Sequence, residues 1–437
     1  MQIRTQSRIG SNGKSIVPAI LVVLSFYLSE YNSFIPGVTL GELTLMIGAV
    51  MILSTMSFRI RIVSNRSLLA FILLSILLSV LSIIISNTTF IIASASNVVT
   101  RWIRYLAYVI FVILYCDNYC TDFDNCRVII KTYRVIACIF AVYGILQFLV
   151  YITTHYYLPV DILPFRMSRD VRVELLISDA SKSIMRARSF FSEPGYFAKF
   201  LIPGVMLSLY GWDEGKISIT TLVLYSVAII LSGSVQGVIL LIIVYLIVVF
   251  TKKTINIRWI FNLAGLTIVF VVIVLSGNRM GLNNIPIQRV FNLLNGSSMD
   301  LSTQIRVFRG FAVWNELPVE HKLFGVGLGN IANYLVQYDV FTNFDYYYRT
   351  EATLDYMNGI SSILCSSGLI GLSVFGFVIS NYKNALSKRG MTFIIVFVVS
   401  LFGGGGVFTV LFIFYATLAF ACSGTDKTIN MGKLIES

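Results

Sequence analysis

The chain has 437 residues, of which 57% are hydrophobic and 12% charged, with a formal net charge of +12 and a mean hydropathy of +0.82. Soluble domains carry about 25% charged residues, so this composition excludes an ordinary soluble domain and points to an all-α, polytopic membrane protein. Membrane topology and anion handling on the outer face account for the cationic surplus, which gives no support to a nucleic-acid partner.

A bilayer core of about 30 Å takes roughly 20 apolar residues per helix. Runs of that kind recur at approximately 16–33, 38–57, 67–86, 98–116, 132–154, 193–211, 217–232, 236–250, 258–276, 358–381, 391–403 and 406–422. The last two are short and joined by the glycines at 403–406, so they form either two spans or one broken helix. The expected count is twelve spans, with eleven as the alternative. Glu30 and Tyr31 stand at the end of the first run, where a signal peptide would carry small residues. That run is therefore expected to stay as a helix. Residues 1–437 are expected to form a single integral membrane domain with two larger loops, 155–192 and 277–357, the second containing short helices.

Cytoplasmic segments of membrane proteins are enriched in Lys and Arg. With the N-terminus in the cytoplasm, the inner segments collect 18 of the 33 cations, and the four short outer turns carry none. Both termini then face the cytoplasm, and both large loops face outward. In a bacterium this is an inner-membrane protein whose loops lie in the periplasm. Each large loop carries six cations; long translocated loops obey the charge rule poorly, so these cations are open to another use.

Arg101 and Arg104 lie three residues apart near the outer end of the fourth run. Ionisable groups in such a helix are costly and are functional candidates, although snorkelling to the interface explains them equally well. After this run come Cys116, Cys120 and Cys126 and the acid pair Asp122 and Asp124. The cysteines have no zinc-like spacing. The acid pair, which metal-dependent membrane glycosyltransferases also use, falls on the inner side and reads as a solvated loop. Neither large loop contains a cysteine, so reduced thiols are expected rather than disulfides.

The first large loop is aromatic and proline-punctuated from Tyr151 to Pro164, then interleaves six cations with Asp170, Glu174 and Asp179. It ends Arg186-Ala-Arg188-Ser-Phe-Phe-Ser-Glu193-Pro-Gly-Tyr196. Ser192 is expected to cap a helix with Glu193 and Pro194 in its first turn. Glu193 then either complements the helix dipole or stands with Arg188 at the mouth of the bundle, where a charge pair would orient a substrate.

The second large loop holds six cations, among them Arg289, Arg306 and Arg309, and seven acids, among them Glu351 and Asp355. Gly325, Gly327 and Gly329 form a glycine run that either brings backbone N–H groups to phosphate oxygens or simply turns the chain. Tyr334, Tyr338, Phe341, Phe344 and the tyrosines at 346–348 either stack on sugar faces or belong to an interfacial helix. His321 precedes Lys322 on a charged stretch that reads as a solvated face.

Three stretches together resemble the Wzy-type polysaccharide repeat-unit polymerases, relatives of the O-antigen ligases. One is Arg188-Ser-Phe-Phe-Ser-Glu193-Pro opening a helix. Another is Arg306-x2-Arg309-x4-Trp314 followed by Phe324-Gly-Val-Gly-Leu-Gly-Asn330. The third is Asn358-Gly-Ile-Ser-Ser-Ile-Leu-Cys-Ser-Ser-Gly368-Leu-Ile-Gly371-Leu. The resemblance spans roughly residues 180–380 and departs at two places. Met357 stands where many relatives, the ligases especially, carry a His, and Val235 stands where the family's outer turn carries an Arg. An imidazole base and that cation therefore do not transfer to this chain.

The resemblance implies a GT-C-like membrane glycosyltransferase working at the periplasmic face. It would need no metal and no cofactor, with an undecaprenyl-pyrophosphate-linked glycan as donor and a sugar hydroxyl of a second lipid-linked unit as acceptor. Membrane lipid and a polysaccharide chain-length regulator are the implied partners. Guanidinium groups suit the leaving pyrophosphate because they stay ionised and bind phosphate as a planar fork. Arg306 leads for that role, then Arg188, with Arg309, Arg289, Arg101, Arg104, Gly325, Gly327 and Asn358 as substrate-binding candidates. A loop arginine paired to Asp300 or Glu316 is the competing explanation. Glu351, Asp355, Glu193 and His321 are the candidate bases, with the first two favoured over His321. An O-antigen ligase, a lipid-linked oligosaccharide flippase and a solute transporter are the other classes. The missing His disfavours the first, two large loops disfavour the second, and the lack of a convincing repeat between halves disfavours the third.

Overall fold

The computed structural model describes residues 16–55, 63–91, 95–165, 167, 186–211, 218–251, 305–342 and 355–436. Among them the regular structure is helical; the only β-pairing is in the isolated bridges Tyr31–Met167 and Asn32–Thr39. The helices are α1 (Val17–Leu28), α2 (Leu40–Thr55), α3 (Val63–Ile85), α4 (Ala95–Val112), α5 (Phe123–Thr154), α6 (Pro194–Tyr210), α7 (Ile219–Leu231) and α8 (Val235–Thr251). After the second loop begins come three short helices, α9 (Gly310–Glu316), α10 (Val319–Phe324) and α11 (Ile331–Gln337). Three longer ones close the chain: α12 (Gly359–Ala385), α13 (Lys388–Leu401) and α14 (Val410–Glu436).

Eleven of the twelve expected apolar runs coincide with helices; the twelfth, 258–276, lies outside the described residues. Among the described residues four helices are long and apolar enough to cross a membrane, Asn65–Ile85, Ala95–Thr121, Phe123–Thr154 and Gly359–Ala385, and several shorter apolar helices accompany them. Large apolar side chains also cover the outside, Leu77, Ile84, Ile85, Val135 and Ile139 among them. Such an exterior is stable against lipid and costly against water.

The last two helices fold back on each other. Ser387 at the start of α13 bonds to Ser423 and Asp426 of α14, and Phe397 packs on Phe412 and Tyr415. The glycines between them thus reverse the chain and do not break one helix.

Two features tie the bundle together. A π-helical turn, Ile113–Asn118, follows α4 and buries Asp117. Asn65 of α3 donates to Asp117 and accepts from the hydroxyl of Tyr382 on α12 at 2.9 Å. A buried polar group needs such partners, because leaving one unmade costs about 1–3 kcal/mol. The second feature is aromatic. Phe26 of α1, Phe140 of α5, Phe200 of α6 and Phe414 of α14 share one cluster, Phe200 stacking on Phe414 at 5.4 Å between centroids.

The three short helices have a small core of their own, built from Val313, Leu317, Val326, Ile331 and Leu335 with Met357 and Cys365. They dock on α12 at a break in that helix. Gly368 there has φ 67° and ψ −168°, a region open essentially to glycine alone. The amides of Val326 and Gly327 donate to the carbonyls of Cys365 and Ser366, at 2.8 and 3.0 Å.

Candidate functional site

A cavity of about 450 Å³ lies at one end of the bundle. Its walls come from the end of α1, the starts of α2, α6, α8, α12 and α14, the second half of α4, the end of α13, the glycine turn between α13 and α14, and Arg306, Asp355 and Tyr356 of the second loop. From α1 to α8, and again from α12 to α14, these are the helix ends that alternation puts on one side. The turn is shaped by Gly404 and Gly405, with φ of 100° and 110°. A side chain at either position would be strained there. The turn brings the carbonyl of Gly404 within 2.9 Å of the Lys199 ammonium.

Three cations and four carboxylates line the cavity: Arg104, Lys199 and Arg306, with Glu30, Glu42, Glu193 and Asp355. The carboxylates fall into two kinds. Glu42 completes a capping box at the start of α2, where its Oε2 accepts from the Thr39 amide at 2.8 Å and Thr39 Oγ1 accepts from the Glu42 amide. It also accepts from the Tyr108 hydroxyl and pairs with Arg104 Nε at 3.1 Å. Glu30 accepts from the amide and hydroxyl of Ser192. Both are nearly sealed from solvent, 6% and 5% exposed. Glu193 and Asp355 keep side-chain exposures of 33% and 31%, so an incoming molecule can reach them. Glu193 pairs with Arg306 at 3.6 Å, and Asp355 with Arg101 at 2.9 Å. The Arg306 guanidinium also lies over the Tyr356 ring, 5.9 Å from its centroid.

Four of the sequence candidates thus line one cavity: Arg306, Glu193, Asp355 and Arg104, with Arg101 joined at the rim through Asp355. Others lie elsewhere. Arg188 donates to the Ser192 carbonyl at 3.2 Å and is not among the cavity lining. Burial pulls its pKa below the ordinary value, while Asp161 and Tyr157 oppose that shift. Arg309 is fully buried and donates to the Tyr356 carbonyl at 2.8 Å. Asn358 caps α12, its Oδ1 accepting from the Ser361 amide and its Nδ2 donating to the Val307 carbonyl, both at 2.8 Å. Arg289 and Glu351 lie outside the described residues, as do the aromatics at 344 and 346–348.

Two sequence expectations change, those for Ser192 and His321, and the alternative left open for the glycine run is decided. Ser192 does not cap α6; Glu193 holds the N-cap position, and the Ser192 hydroxyl goes to Glu30 instead. In the glycine run, the amides of Gly325 and Gly327 go to backbone carbonyls and not to a cavity. Gly325 N donates to His321 O at 2.8 Å and Gly327 N to Ser366 O, so the run serves the docking of the short helices. His321 is buried, not solvated, with Nδ1 3.0 Å from the Gly325 carbonyl and its ring edge-on to Tyr334. Burial pushes the Tyr334 hydroxyl up to about 12.

Sequence reasoning passed over Lys199, Glu30, Glu42, Tyr108 and Gln236. Lys199 had a signal of its own, a cation inside an apolar run; it is 4% exposed and sits 5.5 Å from the Tyr196 ring centroid. Glu42 had one too, in Thr39-x-x-Glu42 before an apolar stretch. Among the described residues no group of three or more His, Cys, Asp or Glu side chains is arranged to hold a metal ion. Chemically, the cavity offers guanidinium and ammonium groups for an anion beside two accessible carboxylates able to take a proton. Compared with known proteins, the chain matches no protein-family model and no curated sequence.

Proposed function

We propose that this chain is a twelve-span membrane glycosyltransferase of GT-C-like architecture that joins undecaprenyl-pyrophosphate-linked repeat units into a surface polysaccharide. The observation that carries the reading is the meeting of Arg306, from the second large loop, with Glu193, from the start of α6, at 3.6 Å in a polar cavity. Both were singled out on the sequence alone. The cavity faces the periplasm in this reading. Its support is that Arg127, Lys131, Lys383 and Lys388 mark the opposite end of the bundle, as the positive-inside rule expects.

In the reaction, the acceptor sugar hydroxyl attacks the anomeric carbon of the donor. The bond from that carbon to the pyrophosphate oxygen breaks, and undecaprenyl pyrophosphate leaves with the electron pair. Glu193 or Asp355 takes the hydroxyl proton, and Arg306 holds the oxygens on which charge builds. A donor so placed lowers the barrier by about 2.7–4 kcal/mol. Arg104 and Lys199 extend the cationic lining around the diphosphate. A chain-length regulator would act from outside this site.

The test is direct. Purified full-length protein in lipid nanodiscs, supplied only with undecaprenyl-pyrophosphate-linked repeat units and a chelator, is expected to produce a ladder of longer lipid-linked glycans on a gel. Unchanged single units, with or without added divalent metal, would remove the polymerase reading. A ladder that needs added metal would remove the metal-independent mechanism.

A further inference from the structure

A second cavity, of about 690 Å³, opens between α5 and α7 toward the end of the bundle opposite Arg306. Arg127, Lys131 and Arg134 line it from one face of α5, at helical spacing. Seven residues at 1.5 Å rise put about 10 Å between the first and last of these cations. No carboxylate is among the described residues that line it. Thr221 and Tyr225 of α7 close the far wall, and the Tyr225 hydroxyl donates to the Arg134 carbonyl at 3.2 Å.

The same face of α5 does not stay charged. It continues through Val135, Ile139, Val142, Leu146 and Leu149, all large apolar side chains that are exposed. The stripe is therefore cationic for about two turns and apolar for the next four. That sequence of chemistries matches an acidic phospholipid, phosphate first and hydrocarbon after it. A soluble anion would use the cations alone, whereas an acyl chain attached to the phosphate also covers the apolar continuation. Cations that only snorkel to the interface would need no walled cavity beside them.

We propose that this cavity binds the phosphate headgroup of an acidic phospholipid whose acyl chain lies along the apolar stripe of α5. The inference rests on the chain being membrane-embedded and stands independently of the glycosyl-transfer reading. Each cation near an anionic lipid surface contributes about fivefold to affinity, so losing all three should weaken binding about a hundredfold.

Native mass spectrometry of the detergent-purified full chain, titrated with phosphatidylglycerol or with phosphatidylcholine, reads this. The wild type is expected to retain phosphatidylglycerol preferentially. The variant Arg127→Gln/Lys131→Gln/Arg134→Gln should lose that preference, while Lys383→Gln/Lys388→Gln, which removes two cations from the same end of the bundle, should keep it. Should the triple variant not be recovered, Lys131→Gln alone is expected to lose about fivefold. Three results overturn the proposal: undiminished phosphatidylglycerol binding by the groove variants, equal loss in the control variant, or full displacement of the lipid by inorganic phosphate. The last would make the cavity a site for the free anion.

Discussion

Arg306 and Arg309 are three residues apart, and the structure gives them opposite duties. Arg306 lines the cavity with a third of its side chain exposed. Arg309 is sealed and bonded to a backbone carbonyl. Arg306→Ala is expected to reduce glycan elongation about 10²–10³-fold with the amount of protein in the membrane unchanged. Arg306→Lys should restore only part of the activity, because an ammonium keeps the charge and loses the planar fork. Arg309→Ala should instead lower the recovered protein, since a hydrogen bond from a charged group is worth about 1.5–3 kcal/mol and the vacated volume adds to the loss. Immunoblots of membranes beside glycan gels separate the two outcomes; full-length chains with Arg306→Ala would take Arg306 out of the mechanism. Glu193→Gln and Asp355→Asn decide between the two accessible carboxylates. The proton acceptor is the one whose amide variant fails to elongate while still binding the lipid-linked unit.

At the scale of elements, the docking of the short helices on α12 depends on two glycines that face each other. Gly325 has φ 82° and ψ 176°, and Gly368 has φ 67° and ψ −168°. A Cβ on Gly325 would come within 2.3 Å of the Ser366 carbonyl group, and one on Gly368 within 2.1 Å of the Leu323 oxygen. Backbone cannot yield as a flexible side chain does, so Gly368→Ala and Gly325→Ala should each cost more than the about 1–3 kcal/mol of the dihedral strain alone. Lower melting temperatures of both purified variants would show it, and unchanged melting would mean the short helices dock otherwise. This contact also marks what sequence reasoning could reach. The apolar runs were legible because a bilayer demands them, and eleven of the twelve coincide with helices. The glycine run was legible as special backbone but not as to purpose, because its partner, the break in α12, lies some forty residues downstream. The Ser192 expectation failed for a similar reason: the turn after α1 brings in Glu30, to which the Ser192 hydroxyl donates, and the N-cap falls one residue later, at Glu193. Individual site residues could be chosen by type, but the pairing of Glu193 with Arg306 needed the fold.

For the whole molecule, the cavity gathers helix ends that alternate from α1 to α8 and again from α12 to α14, so one labelling experiment orients both groups of helices at once. Phe34, in the turn between α1 and α2, is 76% exposed at the cavity end, and Asn384 is exposed near the end of α12 on the opposite side. In a cysteine-free background, Phe34→Cys should react with an impermeant thiol reagent in intact cells and Asn384→Cys only after lysis. The reverse pattern would put the cavity in the cytoplasm and end the periplasmic mechanism. The deletion strain then separates polymerase from its neighbours in function. Without repeat joining, single units are still flipped and attached, so lipid A-core should carry one repeat. Bare core with long lipid-linked glycan accumulating would indicate a ligase, and single units trapped on the inner leaflet would indicate a flippase. The first pattern is expected from the proposed reaction, in which the cavity cations hold the leaving diphosphate beside a carboxylate that takes the acceptor's proton. Restoring the gene with Arg306→Ala should reproduce the one-repeat pattern, since removing the leaving-group contact stops joining without touching flipping or attachment. Bare core in that strain would overturn the polymerase assignment.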